Sequence, residues 1–253
     1  MVTKGVCLIT GGSRGIGAAA ARMAGARGWD VLINYNANAA AAEAVAEDVR
    51  RSGARAEIVA GDVATEAGIM ATYEAVDRFG SLTALVNNAG IGDQVGDITT
   101  FSFDRVDRIV RLNVTGAIIV AREAVKRMAT RFGGKGGSII NISSSAAKLG
   151  GNDQFVDYSA TKGAIDTFTV GLALEWVKDG IRVNAVRPGV IDTDFHSNVG
   201  VPDRPATVGP QQPLGRAGTP EEVAEAIMWL MSDASSYTVG AIIEVSGGRS
   251  IVP

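Results

Sequence analysis

Tyr158 and Lys162 stand four positions apart in a stretch that reads as helix, Tyr158 to Lys178, so their side chains share one face. An ammonium beside a phenol favours the phenolate. The pairing is therefore expected to lower the phenol pKa and equip Tyr158 as a general acid or base. Upstream, Ser143-Ser144-Ser145 closes an apolar, strand-like run, and a serine hydroxyl placed there can hold the oxygen on which Tyr158 acts. A lone Tyr-x-x-x-Lys also describes an ordinary surface pair; the serine-rich strand end just before it is what gives this one chemical meaning.

A second constellation lies near the start of the chain, in Thr10-Gly11-Gly12-Ser13-Arg14-Gly15-Ile16-Gly17. Gly11 permits a tight turn, Gly15 lets backbone approach a pyrophosphate, and Gly17 allows close helix packing. The helix that begins here offers unbonded N–H groups to an anion, with Ser13, Arg14 and Ile16 in the same turn. An ordinary tight turn has the same look, but at the first crossover of a strand–helix array the pattern points to a dinucleotide. The next strand ends at Asn34-Tyr35-Asn36, roughly where an NAD enzyme carries an acid for the ribose 2′-hydroxyl. No acid stands there: Asp30 precedes the strand and Glu43 lies well beyond it. Arg14 is positioned to meet a 2′-phosphate, so the charges favour NADP(H) over NAD(H).

These groups need a frame, and recurring glycines mark it. A helical stretch ends at Gly28, Gly53, Gly80 and Gly180, each followed within a few residues by a short apolar run. Glycine supplies the left-handed residue after a helix, and continuous apolar runs suit strands buried on both faces. The spacing predicts helices over Ala39 to Ser52, Glu66 to Phe79, Phe103 to Arg131, Tyr158 to Lys178 and Pro220 to Met231. Strands are expected near Val6, Leu32, Ile58, Leu85, Ile140, Val183 and Ile243. The fold class is α/β: one doubly wound Rossmann domain over residues 1–253, with a seven-stranded, mostly parallel sheet and helices on both faces. An eight-fold barrel would need another strand–helix unit and would not favour a glycine-rich first turn. Residues 90–102 and 188–213 read as irregular, the second as a substrate-binding loop extending to about 215. Polar residues and glycines gather after the strands, at Thr10, Asn34, Gly61-Asp62, Asn87 to Gly90, the serines and Arg187-Pro188-Gly189, so one crevice would collect them all.

Composition excludes other classes. The net charge is −3, which lacks the basic footprint of nucleic-acid binding. The one cysteine, Cys7, sits in an apolar run as a small buried residue. The first residues are too short for a signal segment, and the longest apolar stretch, Ile109 to Ala121, contains Arg111 and Asn113, so a cytoplasmic protein with no membrane span is expected. His196, the one histidine, reads as an exposed loop residue, and no metal site is expected.

Assembled in this order, the motifs resemble those of the short-chain dehydrogenase/reductase family from Lys4 to Gly248, with stretches similar to its 3-oxoacyl-carrier-protein reductases and glucose dehydrogenases. The resemblance implies that Asp62 and Val63 receive the adenine ring, that Asn88, Ala89 and Gly90 belong to the structural Asn-Asn-Ala-Gly, and that Pro188, Gly189, Ile191 and Thr193 flank the nicotinamide. It implies a catalytic group of Asn113, Ser144, Tyr158 and Lys162. Ser144 lies one residue further from Tyr158 than is usual in the family, and Ser145 fits the count. Ser144 is preferred, because an extra residue around Gly150, Gly151 and Asn152 is easier to accommodate than a shift in a buried strand. In reduction Tyr158 would protonate the carbonyl oxygen, Ser144 would hold it, Lys162 would bind the nicotinamide ribose, and Asn113 would hold a water. Gln154, Phe155 and Val190, with 194–214 and 91–96, would close the pocket around a small carbonyl or alcohol. An acyl-carrier protein stays open as carrier of the substrate, for which Lys126, Arg127, Arg131 and Lys135 would be the basic residues beside the cleft. The family implies a homotetramer, with the Phe103 and Tyr158 helices in one interface. Two alternatives stand: a non-catalytic NADP(H)-binding sensor or structural protein, which would be expected to lack part of the Ser/Tyr/Lys group, and a methyltransferase, which would not require Tyr158 and Lys162 together.

Overall fold

The structure is a computed structural model and describes residues 4–151 and 154–251; Asn152, named above for the extra loop residue, lies outside these. Among the described residues seven strands form one sheet: β1 (Val6–Ile9), β2 (Asp30–Tyr35), β3 (Ala56–Ala60), β4 (Leu82–Asn87), β5 (Gly137–Ile142), β6 (Ile181–Pro188) and β7 (Ile242–Val245). Their order is β3-β2-β1-β4-β5-β6-β7, and every pairing is parallel, with Leu8 opposite Leu32 on one side and Leu85 on the other. The expected "mostly parallel" sheet is thus parallel throughout. The order reverses between β1 and β4, which opens a crevice at the carboxyl ends of those strands.

Alternation along each strand divides the core. Cys7, Ile9, Val31, Ile33, Val86 and Ile140 face α1 (Gly15–Ala26), α2 (Ala39–Arg51) and α10 (Pro220–Met231). Val6, Leu8, Leu32, Leu85, Ile139 and Val183 face the opposite layer of α3 (Glu66–Phe79), α5 (Ala117–Met128) and α7 (Val156–Trp176). Both strand faces are buried, which is why the strands read as unbroken apolar runs instead of alternating ones. Cys7 is fully buried, and desolvation pushes its thiol well above the usual range.

The helices α2 and α3 begin where their caps dictate, with Asn38 accepting from the Ala41 N–H at 2.9 Å and Thr65 from the Gly68 N–H at 3.1 Å. A capping box of Thr219 and Glu222 starts α10. The stretch expected as one helix from Phe103 to Arg131 is interrupted: α4 (Phe103–Val110) runs into a π-helical turn, Arg111–Gly116, before α5. Two constraints account for the wider turn. The Asn113 carboxamide is tied across to both backbone groups of Ile91, and Gly116 presses so close to the Val63 carbonyl that a Cβ would lie 2.3 Å from its oxygen. The loop after β6 also holds more structure than expected, with short helices α8 (Phe195–Asn198) and α9 (Arg204–Val208). The remaining short helix, α6 (Ala146–Leu149), follows the serines. No described helix is long and apolar enough to cross a membrane.

Leu85 is fully buried on a central strand between two neighbours. Leu85→Ala is expected to lower the unfolding free energy by about 2–5 kcal/mol in urea titration, without changing the denaturant slope.

Candidate active site

One cavity of about 1160 Å³ opens along the carboxyl ends of the strands. All but two of the site residues named from the sequence line it; Gly17 and Asn113 do not. Gly17 is buried behind the loop, where a Cβ would lie 2.5 Å from the Gly11 carbonyl oxygen. Its part is the close packing of α1 on the turn. Asn113 is buried, and its carboxamide donates to the Ile91 carbonyl at 2.8 Å and to Thr161 Oγ1 at 3.1 Å while accepting from the Ile91 N–H. Both hydrogens of the Asn113 amide are therefore engaged within the protein.

At the α1 end, Gly11 and Gly15 take positive φ angles of +62° and +53°. The N-terminus of α1 has no side-chain cap and no acidic residue in its first turn, so its N–H groups face the cavity uncompensated. This cradle fits a pyrophosphate. Asn88 ties the loop to β4, donating to the Thr10 and Gly11 carbonyls at 2.9 and 3.1 Å, and Thr10 Oγ1 accepts from the Asn88 and Ala89 N–H groups. Asn34 sits at this wall with its side chain already engaged: it donates to the Gly61 carbonyl and Thr72 Oγ1. Its carbonyl accepts from the Gly12 N–H at 2.9 Å and its Oδ1 from the Gly11 N–H at 3.4 Å, so Asn34 braces the glycine turn. Arg14 is exposed at the rim and makes no ion pair among the described residues. The Asp62 carboxylate accepts from the Ala64 N–H at 2.9 Å, which orients it at the cavity wall.

At the other end, Tyr158 and Lys162 project from the same face of α7. An ion pair on α7's first turn anchors them: Asp157 accepts from Arg105 of α4 at 2.8 Å, and both side chains are largely buried. Lys162 Nζ donates to the Ile142 carbonyl at 2.7 Å and lies 5.6 Å from the centre of the Tyr158 ring. Ser144 Oγ accepts from the Ala146 N–H at 3.1 Å and lies near enough to the Tyr158 hydroxyl to favour its ionised form. Ser143 is instead buried and donates to the Lys162 carbonyl, and Ser145 is buried at the start of α6. Of the three serines, Ser144 is the one beside the phenol.

The expected drop in the phenol pKa does not hold. Burial pushes Tyr158 up to about 12, with the Ser144 hydroxyl pulling the other way. Burial also depresses Lys162 to about 8, with Asp166 opposing it. The same desolvation that strips water from the phenol weakens the ammonium that was to lower its pKa.

Two other expectations are corrected. His196 is buried on α8, with Nε2 donating to the Ile191 carbonyl at 3.0 Å, and it faces the cavity. A loop residue was expected to face solvent, but the short helix turns it inward. Lys126, Arg127 and Arg131 do not stand beside the cleft: none of them lines the cavity, and α5 runs away from it to the start of β5. They are paired with Glu123, Asp77 and Asp179. Lys135, in the loop before β5, does not line it either.

Arg249, after β7, was not anticipated at the cavity, and Arg204 on α9 lay within the expected pocket loop 194–214 without being singled out. Neither belongs to a motif, and folding alone brings them to this wall.

Known proteins resemble this chain over nearly its whole length. A family model described as Enoyl-(Acyl carrier protein) reductase matches residues 11–250. The chain is 45% identical over 245 residues to the Escherichia coli K12 protein named Uncharacterized oxidoreductase YgfF, covering 96% of this chain and 99% of that one. A 3-ketoacyl-(acyl-carrier-protein) reductase from Brucella melitensis complexed with NADH superposes with a TM-score of 0.90 at 31% identity, over 99% of this chain and 100% of that one. A short chain dehydrogenase from Burkholderia cenocepacia J2315 in complex with NADP gives a TM-score of 0.88 at 31% identity, over 96% of each chain.

The Lys162 shift has a measurable consequence. The folded protein releases this proton near pH 8 and the unfolded chain near 10.5, so between them the unfolded state binds more protons and stability rises with pH. Relative to Lys162→Met, the wild type should gain on the order of 2–3 kcal/mol across that window, read by urea unfolding at the two limits.

Proposed function

The chain belongs to the short-chain dehydrogenase/reductase family, whose chemistry is hydride transfer with a nicotinamide cofactor, and we propose that it interconverts a carbonyl and a secondary alcohol on a small substrate, using NADP(H). The observation that carries the reading is Tyr158: it lines the cavity with Ser144 and Lys162, with Lys162 Nζ on the same helix face 5.6 Å from its ring centre, and the same cavity holds the uncapped glycine turn. The nicotinamide, when bound, gives or takes the hydride. Everything else falls to the chain's own residues. In reduction the Tyr158 hydroxyl protonates the carbonyl oxygen, and its high pKa keeps it in the protonated form that this step requires. Ser144, with its oxygen already accepting from Ala146, turns its proton toward the same substrate oxygen. Lys162 is fixed by Ile142 and directs its remaining donors at the cofactor ribose and the phenol. Oxidation runs the same steps backwards, with the phenolate as base.

NADP(H) is supported by charge: Arg14 stands free at the rim beside the glycine turn, and the end of β2 carries Tyr35 and Asn36 in place of an acid. Phe155, with its ring 6.3 Å from Tyr158, and Val190 would close on an apolar part of the substrate. A homotetramer is part of the proposal, supported by the exposed apolar side chains Phe103, Val110, Val170 and Leu174 along α4 and α7.

Absorbance-monitored oxidation of NADPH and NADH against a panel of ketones, ketoacyl thioesters and sugar lactones tests this. Tyr158→Phe is expected to lower kcat by about 10²–10⁴ with cofactor binding intact. Arg14→Ala should shift the NADPH-to-NADH preference by about tenfold toward NADH; a preference for NADH in the wild type would refute the cofactor assignment.

A further inference from the structure

Arg204 and Arg249 come from distant parts of the chain, the helix after β6 and the turn after β7, and meet on the wall of the cavity that holds Tyr158. Each is only partly exposed. Each reaches a neutral amide oxygen instead of an acid: Arg204 donates to Gln154 Oε1 at 2.5 Å and Arg249 to Gln212 Oε1 at 3.1 Å. Neither forms an ion pair among the described residues, whereas most arginines elsewhere in the molecule are paired with carboxylates. Among the described residues the rest of each guanidinium fork has no carboxylate partner. Asp194 lies exposed on the rim of the same cavity and pairs with neither.

Two half-buried like charges close enough to disfavour one another are costly unless something neutralises them. Here each guanidinium is held below its usual range by burial, and Arg249 adds to the effect on Arg204. Their neighbour His196 does not relieve them. Its Nε2 donates to Ile191, its Nδ1 is a buried acceptor without a partner, and burial together with the Arg204 charge keeps the ring neutral. The pair is nevertheless held in place. Ser250, next to Arg249, donates to the Glu244 carboxylate and accepts from Ser246 Oγ at 2.9 Å, and Arg187 joins Glu244 to Asp166 on α7. Arg204 stacks over the Phe155 ring at 5.4 Å, and Phe155 meets the Tyr158 ring edge-on.

We infer that Arg204 and Arg249 form an anion-binding subsite for a carboxylate carried by the substrate, in the same cavity as Tyr158, with Phe155 in contact with both Arg204 and the Tyr158 ring. The inference rests on the proposed carbonyl–alcohol chemistry and names its substrate class: hydroxy and oxo acids in which a ring or short chain separates the carboxylate from the reacting carbon. Guanidinium forks suit carboxylate oxygens because two parallel N–H groups match them, and the neutral Gln154 and Gln212 amides hold the forks without cancelling their charge.

The test uses the intact protein with saturating cofactor and matched substrates: 4-oxopentanoate, 5-oxohexanoate and 4-oxocyclohexanecarboxylate against their methyl esters. At least one acid should exceed its ester by about 100-fold in kcat/KM, mainly through KM, as expected for charge-assisted hydrogen bonds. The acid-to-ester ratio should fall about tenfold in Arg204→Gln and in Arg249→Gln, collapse toward unity in the double variant, and recover in part in Arg249→Lys. Thermal melts identify any variant that fails to fold, and Arg249→Lys then carries the comparison. Equal use of acids and esters by the wild type, or a preference that survives in the double variant, overturns the subsite. Because a phosphate offers similar chemistry, acyl thioesters of pantetheine and phosphopantetheine form a separate arm. Discrimination there, with none among the oxo acids, overturns the carboxylate assignment. If no carbonyl is turned over with either cofactor, the hydride-transfer reading fails by itself, and calorimetric binding of the oxo acids to wild type and double variant decides the subsite independently.

Discussion

Every strand of the sheet points the same way, so each loop that leaves a strand does so at one edge. Parallel pairing forces each connection to cross back over a face, and both faces are filled by helices. No polar group can remain along the strands themselves without a partner, as the buried Asn87, Asn141 and Thr169 chain illustrates. The edge is where chemistry is permitted. Residues as distant in sequence as Gly11, Asp62, Tyr158 and Arg249 share one cavity because of this single constraint.

Burial then sets the properties of what gathers there. Tyr158 and Lys162 are close enough to influence one another, yet desolvation governs both: it raises the phenol and lowers the ammonium. An apolar enclosure thus holds a neutral proton donor beside a readily discharged lysine, and Ser144 is the polar contact that moderates it. The same desolvation acts on Arg204 and Arg249, which cannot discharge and so remain as buried positive charge.

The sheet is also the means by which remote segments hold the site. Arg187 on β6 joins Asp166 of α7 to Glu244 of β7, and Ser250 closes the chain on Glu244. Helix α7 and the segment carrying Arg249 are therefore joined through one polar network between the last two strands and the helix packed on them. The Arg105–Asp157 pair does the same for the start of α7.

Much of this was legible in the residue order. Glycines after helices and unbroken apolar runs report buried parallel strands, and the turn at Gly11 to Gly17 and the four-residue spacing of Tyr158 and Lys162 are local patterns that survive folding unchanged. Helix caps at Asn38 and Thr65 are local in the same sense. What depended on distance in space was not legible. The π-turn at Asn113 arises from its bonds to Ile91, a contact made across the fold. The choice of Ser144 over Ser145 follows from which hydroxyl the strand end turns toward Tyr158, and His196 faces inward because of a short helix that its loop composition did not announce. The pKa of the Tyr–Lys pair is set by a solvent exclusion that neither residue encodes. Sequence by itself determined the fold class and the shared helix face of Tyr158 and Lys162, because strand patterning, helix ends and a four-residue spacing are local signals. Tertiary structure decided the electrostatics of the site and brought Arg204 to Arg249, because burial and the meeting of remote segments exist only once the chain has packed.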